Sequence, residues 1–246
     1  MSQLFAQSVT SPQTGQPATQ TGFQYPEPLT EKYRPRKIGS FVGLEKSRRI
    51  LAKFAANPYP ASWLFVGPPG TGKTTMGLAL AEELRAEVHH IPSQQCTVEA
   101  IHDTVRRCWY VPTTIAPCKA CHSERSEESR PAFHLVLIDE ADRMSPAAQL
   151  ALLSKLDSTA FPPQTVFGFT CNSTDGLEPR FLSRCRVLEF SSYGTAEEIT
   201  NLLRAVWDRE TDTPADGPPN FARIVKDSHN NVRDALMRLE LEILAA

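Results

Sequence analysis

The stretch Gly67-Pro68-Pro69-Gly70-Thr71-Gly72-Lys73-Thr74 constrains this chain more than any other. Its spacing is G-x-x-x-x-G-K-[ST]. It follows a short apolar run at 63–66 and opens a segment in which Leu78, Leu80, Ala81 and Leu84 recur at helical spacing. A strand, a glycine-rich loop and a helix start together make a phosphate cradle. The glycines let backbone N–H groups close on an anion, and the helix N-terminus adds positive potential. In that context Lys73 reaches the β- and γ-phosphates of a nucleotide, and the Thr74 hydroxyl ligates Mg²⁺. The motif therefore demands an α/β fold in which a buried strand ends against a helix start.

The remaining pattern agrees. The apolar run at 135–138 reads as another buried strand, and 88–91, 166–170 and 187–190 read as further strands. Helical periodicity separates them: 44–54, 98–109 with Val98, Ile101, Val105 and Cys108 on one face, and a helix after Ser145-Pro146 lined by Ala148, Leu152 and Leu156. Serine at the N-cap with proline at the first helical position is a good helix start. Strands alternating with helices imply βαβ units and a central parallel sheet. Beyond Gly194 the pattern is purely helical, at 196–209, 221–226 and 232–244. The sequence thus predicts an α/β domain over 29–192, followed by a small helical lid domain over 193–246. Residues 1–28, rich in Gln, Thr, Ser and Pro with Glu27 as their one charge, read as a disordered tail. Residues 116–131 lack apolar periodicity and carry three basic and three acidic groups. They read as an exposed insertion, and they resemble sequence translated from a dispersed genomic repeat.

Composition narrows the class. With 41% apolar residues the chain is too apolar for wholesale disorder. No run approaches the ~18 apolar residues of a membrane span. The first 28 residues hold no Lys or Arg and no apolar core, so they do not read as a secretory signal. Six cysteines are too sparse for a disulfide scaffold, and a reducing cytoplasm is the expected setting. The net charge of −2 hides a basic segment: residues 32–53 hold eight Lys and Arg against Glu45. Such a patch either meets phosphates or is a solvated helix face.

A second motif fixes the chemistry. Leu135-Val136-Leu137-Ile138-Asp139-Glu140 ends an apolar strand in two carboxylates. Ligands of parallel sheets bind at the carboxyl ends of strands. Asp139 would therefore hold the Mg²⁺ shell, and Glu140 would polarise an attacking water.

Gly-Pro-Pro-Gly-Thr-Gly-Lys-Thr together with Ile-Asp-Glu-Ala-Asp resembles the AAA+ ATPases. Further segments resemble clamp loader subunits, namely the small subunits of replication factor C and the bacterial gamma/tau subunit. Glu31-Lys32-Tyr33-Arg34-Pro35 with Phe41-Val42-Gly43 is similar to the family's adenine-wrapping opening. Thr170-Cys171-Asn172 resembles sensor 1, Glu178-Pro179-Arg180-Phe181-Leu182-Ser183-Arg184-Cys185 the Ser-Arg-Cys motif, and Asn231-Val232-Arg233-Asp234-Ala235-Leu236 sensor 2. The resemblance implies Mg²⁺-dependent ATP hydrolysis with catalytic roles for Lys73, Glu140, Asn172, Arg184 and Arg233. It implies nucleotide contacts from Tyr33, Arg34, Pro35, Val42, the loop residues Gly67 to Thr74, and Thr75. Thr74 and Asp139 are the implied Mg²⁺ ligands. Arg184 would act in trans on a sister subunit's ATP, and Arg233 on its own. DNA and a sliding clamp are the further implied partners. Clamp loader subunits continue into a helical collar domain, which these 246 residues do not include. Two other readings stay open: a hydrolysis-poor structural AAA+ subunit, and an AAA+ machine for helicase loading or branch migration.

Cys118-Lys119-Ala120-Cys121-His122 also matches a c-type haem attachment sequence, which needs an exported protein. The gamma/tau subunit carries a zinc module in this interval, and Cys108, Cys118, Cys121 and His122 could supply such a set. Adjacent Cys121 and His122 chelate one ion poorly, so an inert insertion is expected. Cys96, Cys171 and Cys185 read as small packed residues.

Overall fold

The computed structural model describes residues 27–110, 112, 133–211 and 217–245. Residues 1–26 of the expected tail, the whole 116–131 insertion, and Cys118, Cys121 and His122 lie outside these residues.

Five strands form one sheet: β1 (Ala61–Val66), β2 (Ala86–Pro92), β3 (Phe133–Asp139), β4 (Thr165–Cys171) and β5 (Arg186–Glu189). Their spatial order is β2-β3-β4-β1-β5, and every pairing is parallel. The sheet's partners are α2 (Glu45–Ala56), α3 (Lys73–Glu83), α4 (Val98–Arg107), α5 (Pro146–Lys155) and the short α6 (Pro179–Leu182). A parallel sheet covered on both faces needs strands that are apolar on both sides. β4 is buried throughout and β3 at its five inner positions.

The two-residue period of the strands divides the core. Phe65, Leu135, Leu137 and Val166 pack with Leu51 of α2 and with Met76 and Leu80 of α3. Leu64, Val136, Ile138, Phe167 and Phe169 pack with Ile101, Val105 and Leu152 on the other face. Phe169 lies parallel to Phe167 at 6.2 Å and receives the edge of Phe181 from α6 at 4.9 Å. This ring contact pins the turn that leads to Arg184. A third core is helical: α7 (Ala196–Glu210), α8 (Phe221–Asp227) and α9 (Val232–Ala245) bury Leu203, Trp207, Val225 and Leu239 together. Leu29, on the one-turn helix α1 (Leu29–Lys32), belongs to this core and to neither sheet cluster. The N-terminal segment therefore straps the helices to the sheet domain.

The predicted sheet and helices are present, with shifts at the ends. All five strands begin one or two residues before their predicted starts. Three of those starts contain buried polar residues with partners. The Ser62 hydroxyl donates to the Arg184 carbonyl at 2.5 Å, Thr165 donates to the Pro163 carbonyl at 2.9 Å, and His134 is 2% exposed. Polar residues of this kind are invisible to apolar periodicity. β5 stops at Glu189, yet Phe190 N–H still donates to the Val66 carbonyl at 2.7 Å and its ring is buried. Val98 is the exception on α4. It sits in the first turn and is exposed, while Ile101, Val105 and Cys108 are buried. Thr97 caps that helix from Ala100 N–H, and Ser145 caps α5 from Ala148 N–H as its sequence predicts. Among the described residues no helix is long and apolar enough to cross a membrane.

Phe169→Ala should destabilise the protein by about 3–5 kcal/mol, the usual cost of emptying a buried aromatic site. It should also loosen the turn before Arg184. Chemical denaturation measures the first effect, and a loss under ~1 kcal/mol would contradict this packing.

Candidate nucleotide site

The carboxyl ends of β1, β3 and β4 meet at the start of α3. The parallel register puts Val66 beside Cys171 and Pro92 beside Asp139, so the loops after these strands face one another. Gly72 caps α3 in the left-handed region, with φ of 87°. Gly70, with φ of 78°, passes so close to the lid that a β-carbon there would lie 2.1 Å from Asn231 Oδ1. Only glycine gives both the conformation and the clearance. The N–H groups of the first turn of α3 have no intrahelical acceptor, which is the condition for anion binding.

Lys73 is 8% exposed. Its Nζ donates to the carbonyls of Gly67 at 2.7 Å and Pro68 at 2.8 Å, and to Asn172 Oδ1 at 3.0 Å. Burial lowers its pKa, against the opposing pull of Cys171, Asp142 and Asp139. The loop's own carbonyls thus hold an ammonium where phosphate oxygens would take it. Cys171, next to Asn172, is pushed up to about 11 by burial and stays a thiol.

Asp139 gathers the opposite wall. Its Oδ1 accepts from Thr74 at 2.8 Å and from Thr170 at 2.9 Å, and its Oδ2 meets His90 Nε2 at 2.5 Å. Glu140 follows in the left-handed region, with φ of 52°. Its N–H donates to Thr170 Oγ1 at 3.1 Å, and its half-exposed carboxylate faces Arg143 at 3.5 Å. Thr74 and Asp139 place two hard oxygens side by side, which suits Mg²⁺. Thr74 and Asp139 would hold such an ion, which would neutralise charge on the phosphates of a bound nucleotide.

A second concavity adjoins the loop. Tyr33, Arg34, Pro35 and Val42 line it from the N-terminal strap, and Leu202, Val232 and Leu236 from the helices, with Gly70, Thr71, Gly72 and Thr75 as its floor. Its apolar walls suit a flat base. Tyr33 Oη donates to Glu210 at 2.5 Å, and Lys32 pairs with the same carboxylate at 2.8 Å. Burial, then the Glu210 contact, raises the Tyr33 pKa, while Lys32 and Tyr33 hold Glu210 below the usual carboxylate range.

Of the residues singled out from sequence, Lys73, Thr74, Asp139, Glu140, Asn172 and Arg233 line the phosphate end. Gly67 and Pro68 serve through the carbonyls that hold Lys73, and Pro69 lines the phosphate end. Arg184 stands apart, its guanidinium donating to the Arg180 carbonyl at 3.0 Å with Asp157 at 3.9 Å. It lines a separate groove with Leu150 and Ser154. Three site residues were not singled out. Thr170 lies inside the segment matched to sensor 1, so its place was available. His90 had no signal, because only strand register brings β2 to Asp139. Asn231 caps α9, accepting from Arg233 and Asp234 N–H, while its amide donates to the Pro69 carbonyl at 3.2 Å. It ties the lid helices to the phosphate loop.

The family described as "ATPase family associated with various cellular activities (AAA)" matches residues 63–193. Replication factor C subunit 2 of Arabidopsis thaliana is 28% identical over 229 residues, covering 91% of this chain and 63% of the relative. Replication factor C small subunit 1 of Pyrobaculum islandicum is 32% identical over 167 residues, covering 65% and 46%. The chain thus spans about half to three fifths of the length of these relatives. In fold it is similar to the Thermotoga maritima RuvB Holliday junction branch migration motor, with TM-score 0.62, 21% identity, and coverage of 85% of this chain and 64% of that one.

Lys73→Ala should weaken ATP binding about ten- to hundredfold, since a hydrogen bond to a charged group contributes ~1.5–3 kcal/mol. Titration with a fluorescent ATP analogue reads this directly. An unchanged Kd would remove Lys73 from the phosphate site.

Proposed function

The chain belongs to the AAA family of ATPases, and from that premise we propose that it hydrolyses Mg²⁺-ATP as a clamp-loader-like subunit in DNA replication or repair. One observation supports the reading: Lys73, Thr74, Asp139, Glu140, Asn172 and Arg233 line one concavity, while Arg184 of the matched Ser-Arg-Cys segment lines a separate groove together with Arg180. Similarity to replication factor C subunits over 91% of the chain supports the clamp loader assignment.

In this reading Lys73 exchanges its carbonyl partners for phosphate oxygens. Phosphoryl transfer asks the protein mainly for positioning and for stabilisation of charge. Glu140, set by its left-handed backbone and the Thr170 hydroxyl, polarises the attacking water and takes its proton as the bond to the γ-phosphorus forms and ADP leaves. Asn172, already bonded to Lys73, orients that water or the γ-phosphate. Arg233 opens α9 at the border of the phosphate and base pockets, and acts on the nucleotide of its own subunit. The Tyr33–Val42 strap and the lid hold the base.

Arg184 is half-buried, and among the described residues its donors meet a carbonyl and a distant carboxylate. Phe181, packed on Phe169, anchors the turn that carries it. Arg184 serves the ATP of a sister subunit, where an arginine in trans adds ~10³–10⁵ in rate in related nucleotidases. The basic segment divides by role. Lys32, Arg34 and Arg48 bond to Glu210, Glu31 and the Gly39 carbonyl, whereas Lys46, Arg49 and Lys53 are exposed on one face of α2. That face meets DNA phosphates in the assembly. A sliding clamp is the remaining partner, and the cytoplasm the setting.

Glu140→Gln should keep ATP affinity within about twofold and lower turnover at least ~10²-fold, the scale of a lost general base. Equal losses of binding and turnover, read by nucleotide titration and phosphate release, would contradict its role. Arg184→Ala should leave ATP binding to the isolated subunit unchanged. Mixing Arg184→Ala with Glu140→Gln should restore part of the activity, because some sites then pair an intact Glu140 with a neighbour's intact Arg184. If the isolated monomer hydrolyses ATP fully and Arg184→Ala abolishes it there, the arginine acts in cis and the clamp-loader assignment loses its specific support.

A further inference from the structure

Away from the nucleotide, His89, Cys108 and His134 converge from three elements. One ring nitrogen from each histidine and the Cys108 sulfur lie within 4.8 Å of one another. Cys108 and His134 are 1% and 2% exposed. His89 sits on β2, Cys108 ends α4, and His134 starts β3, at the opposite end of that strand from Asp139. His134 Nε2 lies 2.8 Å from the Tyr110 carbonyl. A carbonyl only accepts, so Nε2 carries the proton and Nδ1 presents a lone pair. That lone pair faces His89 Nε2 at 3.0 Å, and Glu87 Oε2 is 3.8 Å from the same nitrogen.

We propose that His89, Cys108 and His134 form a structural zinc site, with Glu87 as the fourth donor. Two imidazoles, one thiolate and one carboxylate oxygen are the donor types that zinc takes in tetrahedral sites. The backbone carbonyl that fixes His134 is the usual outer partner of a metal-bound histidine. Donors about 2.0–2.3 Å from one ion stand roughly 3.3–3.8 Å apart, so shifts of about 1 Å close the His89, Cys108 and His134 set, and Glu87, which is near His134 alone, moves further to complete it. Binding sends the Cys108 thiol proton to solvent. The His89 proton moves from Nε2 to Nδ1 through water, freeing Nε2 for the metal. The metal joins the end of α4 to the start of β3, and so clamps the two ends of the segment 111–132. This assignment is independent of Cys118, Cys121 and His122.

Cobalt titration of the full chain tests it. Cobalt in a thiolate-containing tetrahedral site gives a near-ultraviolet charge-transfer band and strong visible absorption. The wild type should bind one equivalent, displaced by zinc. Cys108→Ser should lose the charge-transfer band and His89→Gln should lower affinity at least tenfold. Circular dichroism and ATP binding confirm that each variant is folded; His89 is only partly buried, so His89→Gln decides if Cys108→Ser does not fold. A Cys118→Ser/Cys121→Ser/His122→Ala variant should bind as the wild type does. No stoichiometric binding by the wild type, unchanged binding by His89→Gln, or loss of binding in the triple variant overturns the proposal.

Discussion

The carboxylate of Asp139 is the point on which the site depends. A carboxylate that is largely buried needs donors for its lone pairs, or it neutralises or moves. Here the donors come from three directions: Thr74 on α3, Thr170 on β4 and His90 on β2. Each donor is the side chain of an element that the sheet register has already brought close. The same bonds therefore report that β2, β3, β4 and the phosphate loop are correctly aligned. They also leave two oxygens of Thr74 and Asp139 side by side, where a hard cation fits. Alignment of the strands and competence for nucleotide are one condition at this position.

The second dependence is between the sheet domain and the lid. Asn231 caps α9 with its oxygen and reaches the Pro69 carbonyl with its nitrogen. Gly70 must lack a side chain to allow that approach. Leu29 packs in the lid core, and Lys32 and Tyr33 hold Glu210 at the end of α7. These bonds are few and mostly solvent-accessible, so each contributes little by itself. Together they link the lid's position to the phosphate loop and to the concavity beside it.

The placement of Arg184 follows from packing, not from local charge. Phe181 occupies the sheet core beside Phe169, and the short helix it anchors delivers Arg184 to a groove away from the nucleotide. There, among the described residues, its guanidinium meets the Arg180 carbonyl and Asp157, beside Leu150. The His89, Cys108 and His134 cluster is also remote from the nucleotide, at the far end of β3. Its effect would fall on stability and on the path of the chain between α4 and β3, not on catalysis.

The sequence by itself determined the elements and the chemistry that travels with a contiguous motif. Gly67 to Thr74 demands a strand before it and a helix after it, because no other backbone offers free N–H groups around Lys73. Apolar runs of four or five residues gave β1, β3 and β4, and Asp139 and Glu140 were placed by ending one of them. The order of the sheet, the partners of Asp139 and the separation of Arg184 were decided only by the tertiary structure. His90 lies 49 residues from Asp139, and Asn231 lies 162 residues from Pro69. Such pairs are set by which strand lies beside which, and periodicity within a segment carries no trace of that. The same limit hid the pairing of His89 with His134, 45 residues apart. A parallel sheet joins neighbours through long crossovers, so its most consequential contacts are distant in sequence and meet only when the sheet closes.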